Sequence, residues 1–179
     1  MRNLCITFII LTIIVLGVMA KFSENSTSSN TEILRIHIRA DSNEQEAQQV
    51  KYKVKDAVVD FLTPKLTDCD TKLKAQKKIQ SLLPEIEDVC DEVLDLNGYE
   101  YKAKAKINAE EFPTRVYGGL TFESGIYDAL IIELGSGTGD NWWCVVYPPL
   151  CFTGGEHGYE YKSKLKQIIN DFYEKQERR

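Results

Sequence analysis

The chain has 179 residues, of which 27% are charged and 43% hydrophobic, with a formal net charge of −5 and a mean hydropathy of −0.29. These figures suit one globular domain with its own core, and they argue against a wholly disordered chain, a multi-span membrane protein and a disulfide-dense miniprotein. The acidic balance offers no electrostatic attraction to a phosphate backbone, which disfavours a generic nucleic-acid binder.

Arg2 is the only charge among the first twenty residues, and from Leu4 to Val18 the chain is almost purely apolar. A positive start, an apolar stretch and small residues at Val18 and Ala20 read as a secretory signal peptide over residues 1–20, cut after Ala20. The rival is an uncleaved anchor, but a spanning helix wants about 20 apolar residues and this run is slightly shorter. Either way, membrane contact is confined to this segment. Cys5 precedes the apolar stretch, so it is not the cysteine of a lipoprotein signal. Residues 21–32 form a flexible polar leader.

Ile33 to Ala40 alternates, with Leu34, Ile36 and Ile38 on one face and Arg35, His37 and Arg39 on the other, which predicts a half-buried strand. Ser42 and Gln45 have capping-box spacing before a helix that runs to about Leu62 and is closed by Pro64. Its apolar face is Ala47, Val50, Val54, Ala57, Val58, Phe61 and Leu62, with Lys51 elsewhere. Residues 70–96 split into two helices at Pro84. Lysines 74, 77 and 78 precede the break and Glu85, Glu87 and Asp88 follow it, as helix dipoles favour. A second strand begins at Tyr99 and alternates to Ile107. Shorter strands follow over Arg115–Phe122, Tyr127–Leu134 and Trp142–Tyr147, the last two joined by a hairpin connection through Gly135–Asn141. An amphipathic helix runs from Tyr159 to about Tyr173. The fold class is α+β: a mainly antiparallel sheet of four to five strands, helices on one face, and a C-terminal helix. The folded domain covers residues 33–152, with a helical extension over 153–179.

Little in the sequence carries chemistry. The glycine-rich run Gly135–Gly139 precedes a strand, whereas a phosphate loop opens a helix. With His37 and His157 the only histidines and no paired-cysteine spacing, neither a zinc site nor any other cofactor is indicated. No carboxylate pair stands out. Arg35, His37 and Arg39 read either as a solvated strand face or as a recognition surface for an acidic partner, and Lys102, Lys104 and Lys106 as a similar row. Cys144 and Cys151 flank a rigid turn containing Pro148 and Pro149; they are either a disulfide or two buried thiols. Cys69 and Cys90 lie too far apart to bridge, which places Cys90 in the core and Cys69 at or near the surface. Trp142 and Trp143 face opposite sides of their strand, as core residues or as an aromatic anchor for a protein partner.

These segments resemble the stage II sporulation protein R family of endospore-forming Firmicutes. The resemblance rests on Leu34-Arg35-Ile36-His37-Ile38 through Ala40-Asp41-Ser42, Lys53–Val58, Leu83–Glu87, Phe112–Arg115 with Tyr117-Gly118, Gly125–Leu130, and above all Asn141–Phe152. It implies a signalling ligand, not an enzyme. Such a ligand crosses the forespore membrane into the intermembrane space of the septum. There it activates a membrane-embedded aspartic protease of the mother cell, and a pro-sigma factor is processed. The residues offered for that partner are Arg35, His37, Arg39, Arg115, Trp142, Trp143, Pro148 and Pro149. Ile131 departs from the basic residue expected after Ala129-Leu130, and Cys69, Cys90 and the tail from Thr153 belong to no shared motif. The alternative is an exported cell-wall or peptide hydrolase using a carboxylate pair or His37.

Overall fold

The structure, a computed structural model, describes residues 32–117, 120–149 and 174. The signal segment, all of the leader but Glu32, Cys151 and all but Glu174 of the C-terminal extension lie outside the described residues. Strand β1 (Leu34–Arg39) is followed by helices α1 (Gln45–Leu66), α2 (Lys72–Ser81) and α3 (Leu83–Leu96). Strands β2 (Ala103–Phe112), β3 (Arg115–Tyr117), β4 (Leu120–Phe122), β5 (Gly125–Leu134) and β6 (Asn141–Tyr147) complete the order.

Four strands form one sheet in the order β2-β5-β1-β6, and β3-β4 forms a separate two-stranded hairpin. The β2–β5 and β1–β6 pairs are antiparallel, whereas β1 and β5 run parallel. The architecture is α+β with helices packed on one face, as the pattern predicts. The expected β5–β6 hairpin does not form, because β1 lies between the two strands. The intervening loop instead arches over the end of β1. Gly139 N–H donates to Ala40 O at 2.9 Å, and Asp140 N–H donates to Asn43 Oδ1 at 2.6 Å. Ser136 N–H donates to Asp41 Oδ1 at 2.7 Å, and the Ser136 and Thr138 hydroxyls both donate to Asp41 O.

The expected capping box does not form: α1 starts at Gln45 with Glu44 as N-cap and no side-chain cap bond, the Ser42 hydroxyl accepts from Glu44 N–H at 3.4 Å, and Asp41 and Asn43 serve the arch. At its other end α1 continues through Pro64 to Leu66, past the expected stop. Thr63 Oγ1–H donates to Val59 O at 2.6 Å and Thr67 Oγ1–H to Thr63 O at 3.2 Å, so hydroxyls serve carbonyls in the turn that proline weakens. Leu66 is buried and anchors that added turn. Helix α2 is capped by Thr71, whose hydroxyl accepts from Lys74 N–H at 3.3 Å. It ends at Leu82, and Pro84 sits in the first turn of α3, where its missing N–H costs nothing.

The main core lies between helices and sheet. It packs Leu34, Ile36 and Ile38 of β1 with Leu130, Ile132 and Leu134 of β5, against Val50, Val54, Val58 and Leu62 of α1 and Ile86, Cys90 and Leu94 of α3. Cys69 and Cys90 are free thiols. Cys69 is buried in this core, against the expectation of a surface position. Lys51, expected off the apolar face, is buried too; its ammonium donates to Gln48 Oε1 at 2.6 Å and Asp140 O at 3.0 Å, tying α1 to the arch. Strand β2 starts at Ala103 rather than Tyr99 and runs on to Phe112, while Tyr99 and Tyr101 pack beside the core from the connecting segment.

Candidate functional site

The opposite face of the sheet carries a second, smaller core of Ile33, Phe112, Phe122, Tyr127, Ala129, Ile131 and Val145, with Tyr117 and Trp143 packed against it. Strand alternation sends Arg35, His37 and Arg39 here. The reading of a solvated strand face fails for two of them: Arg35 is 0% and His37 1% exposed, and only Arg39 is half-buried. The β3–β4 hairpin and the aromatic rings that accompany it take the place of water.

Arg35 occupies an aromatic cage. Its guanidinium carbon lies 4.3 Å from the Phe112 ring centroid, 4.9 Å from Tyr127 and 6.0 Å from Phe122. Nε, Nη1 and Nη2 make no hydrogen bond among the described residues. Burial lowers the guanidinium pKa, opposed by the nearby phenol groups of Tyr117 and Tyr127. Those phenols point their protons elsewhere, Tyr117 to Trp143 O at 2.8 Å and Tyr127 to Glu123 O at 2.7 Å. Cation–π attraction in a desolvated site offsets about 2 kcal/mol of the burial cost, and the unmade hydrogen bonds are left uncompensated.

Beside the cage runs a polar ladder. His37 Nδ1 lies 2.7 Å from Glu110 Oε2 and His37 Nε2 lies 2.6 Å from Asn141 Oδ1. The imidazole stacks on Trp143 with centroids 3.6 Å apart. Arg39 donates to the other oxygen of Glu110 and, at 2.8 Å, to Glu133, which also meets Lys106 at 3.2 Å. Burial pushes the His37 pKa down to about 4, helped by the Arg39 charge and opposed by Asn141 and Glu133. The Glu110 carboxylate is shared with Arg39, so it does not rescue the imidazolium. At neutral pH His37 is therefore uncharged, with one N–H to give: Nδ1 donates to Glu110, and Nε2 accepts from the Asn141 side-chain amide turned to present its NH2.

Both nitrogens of His37 thus face partners within the fold, the Glu110 carboxylate and the Asn141 side-chain amide. Among the described residues no group of three or more His, Cys, Asp or Glu could hold a metal ion, and no helix is long and apolar enough to cross a membrane.

Of the residues offered for a partner, Arg115 is exposed, Arg39, Trp142 and Trp143 are half-buried, and Pro148 and Pro149 are buried after a cis Tyr147–Pro148 bond. Trp142 packs toward the helices, with Lys55 Nζ 5.9 Å from its ring centroid, and Trp143 packs on the other face. Cys144 is buried, and its expected partner Cys151 lies outside the described residues. Sequence reasoning missed Glu110 and Phe112, since its second strand stopped at Ile107. Continuing the same alternation would have placed both on the face of Lys104 and Lys106. The lysine row itself divides: Lys102 pairs with Asp95 on α3 at 2.8 Å, whereas Lys106 pairs with Glu133 across the sheet.

Fold and site together define a small α+β protein whose sheet is covered by helices on one side and by an aromatic, arginine-bearing layer on the other. A family model described as "Stage II sporulation protein R" matches residues 30–157. The chain is also 30% identical over 173 residues to the Stage II sporulation protein R of Bacillus subtilis (strain 168), covering 92% of this chain and 77% of that relative. The chain belongs to the stage II sporulation protein R family, and its role lies in sporulation. No solved structure matches it.

Proposed function

We propose that this chain is a secreted signalling ligand. It crosses the forespore membrane behind a signal segment cut after Ala20, reaches the intermembrane space of the septum, and activates a membrane-embedded aspartic protease of the mother cell that processes a pro-sigma factor. The observation that carries the non-enzymatic part of the reading is His37, which is 1% exposed and held by Glu110 and Asn141. A general base needs hydrogen-bond reach to a substrate proton, and this imidazole has none to spare. That speaks against the alternative of an exported hydrolase built on His37. Family membership supports the sporulation context. On this reading the partner meets Arg39, Arg115, Trp142 and Trp143, while Arg35 and His37 shape that surface from beneath. The Cys144–Cys151 bridge staples the turn after β6.

The test is deletion of the gene in its host, with sigma-factor processing followed by immunoblot. Processing is expected to stop, and to return when the gene is restored. Normal processing without the gene overturns the proposal. Restoration with Trp142→Ala or Arg39→Ala is expected to give reduced processing at normal protein level; full activity of both places the contact elsewhere. Mass spectrometry of the exported protein under non-reducing conditions is expected to show a chain beginning at Lys21 and lighter by two hydrogens for the bridge.

A further inference from the structure

Among the described residues, the outer edge of β2 is closed along one half and open along the other. Ala103 N–H donates to Asp91 Oδ1 of α3 at 2.8 Å, and Ala105 N–H donates to Glu87 Oε1 of α3 at 2.7 Å. These two amides therefore point away from β5, and by the two-residue period so do those of Ile107, Ala109 and Glu111. Among the described residues no acceptor meets the latter three. Around them Asn108, Ala109 and Glu111 are exposed, and the Lys106 side chain is 51% exposed. A stretch of unpaired edge flanked by a covered stretch is a template for strand addition.

The strand's own charges select the occupant. Lys104 and Lys106 stand at one end of the open stretch, and Glu110 and Glu111 at the other. A strand with this order is complementary to itself when run antiparallel. We propose that a second copy of this chain pairs along β2, antiparallel and two-fold symmetric about Asn108. In that register Ile107 of one copy faces Ala109 of the other, and about four backbone hydrogen bonds form from the outward amides and carbonyls. Lys106 faces the Glu110 of the second copy, so the Arg39–Glu110 pair of each copy is joined to a lysine of its mate. The ladder stops where Glu111 would meet Glu87, two carboxylates at the covered half of the edge. The symmetry is isologous and closed, which yields a dimer and not a fibre. The pairing touches the signalling surface only through Glu110, which Arg39 also holds, and it stands whether or not the chain activates a protease.

The test is cross-linking of the full chain. Asn108 faces itself across a non-hydrogen-bonded position, with Cα atoms about 4.5 Å apart, within disulfide range. An Asn108→Cys variant is expected to give a covalent dimer on mild copper–phenanthroline oxidation. Gln80→Cys, at an exposed position of α2, is expected to remain monomeric. Adding Ala109→Pro to Asn108→Cys removes one outward amide that β5 does not use, and is expected to reduce the dimer at least tenfold while the circular dichroism spectrum is unchanged. No dimer from Asn108→Cys overturns the proposal. So does equal cross-linking of Gln80→Cys, or a dimer that survives Ala109→Pro. A covalent adduct of Asn108→Cys with a different polypeptide in place of its own copy overturns it as well.

Discussion

Arg35 and His37 are buried polar groups that a purely apolar strand would not need, and each leaves a measurable signature. Replacing a buried, poorly satisfied charge by an apolar side chain of similar volume is neutral or stabilising, by up to about 4 kcal/mol. Arg35→Met is therefore expected to hold or raise the urea midpoint, while Arg35→Ala, which empties the space against Phe112 and Tyr127, is expected to lose roughly 2 kcal/mol. A large loss in Arg35→Met would mean that the guanidinium has an acceptor. For His37 the sign follows from its depressed pKa. The unfolded ring binds a proton near pH 6.5 and the folded ring near about 4, so the unfolded state takes up more protons between those values. The contribution of His37 to stability is fully present above pH 6.5 and is lost as pH falls toward 4. Relative to His37→Gln, the wild-type protein is expected to lose on the order of 2 kcal/mol between pH 7 and 4.5 in urea titrations. Parallel pH profiles for the two proteins would refute the assignment of a neutral ring.

At the level of elements, the arch between β5 and β6 is the most constrained connection. A Cβ on Gly139 would collide with the Ser42 backbone carbonyl, and one on Gly135 would collide with the Asp41 carboxylate at a positive φ of 56°. Gly139→Ala is expected to cost more than about 2 kcal/mol, since the obstacle is backbone that cannot swing aside. Chemical denaturation of the variant checks it; a loss under about 0.5 kcal/mol would show that the arch yields. This connection also marks where sequence reading ran out. The helix break at Pro84 and the strand alternations of β1 and β2 were legible because proline geometry and period-two patterning are local. That β1 would lie between β5 and β6 was not legible, since a glycine-rich loop between two strands looks the same whether it turns a hairpin or spans an intervening strand. Burial of Arg35 and His37 was equally hidden. Alternation told which face they share, but the cover comes from β4 and from the far end of β2, at Phe122 and Phe112.

For the whole molecule, the two cores lie on opposite faces of the sheet, with β2, β5 and β6 contributing to both and Tyr117 packed against each. Neither can be completed by one half of the sequence. A fragment ending after β2 holds β1 and all three helices yet lacks β5, the strand that stands between β1 and β2. Such a fragment is expected to show no protected amides in β1 by hydrogen exchange, whereas β1 of the intact chain is expected to be among the last segments to exchange. Protection of β1 in the fragment would mean that the helices alone organise it.

The central position of β1 also bears on the time order of folding. The first strand to be synthesised pairs Ile36 with Leu130 on one side and with Cys144 on the other, so both of its neighbours are made last. Contacts so distant along the chain are slow to close. Throughout that interval β1 is a short alternating apolar segment with both edges bare, the kind of sequence that associates with whatever strand it meets first. Pairing of β1 with β5 is therefore expected among the late steps of assembly. Conditions that slow the appearance of residues 125–147 are those under which this protein would aggregate.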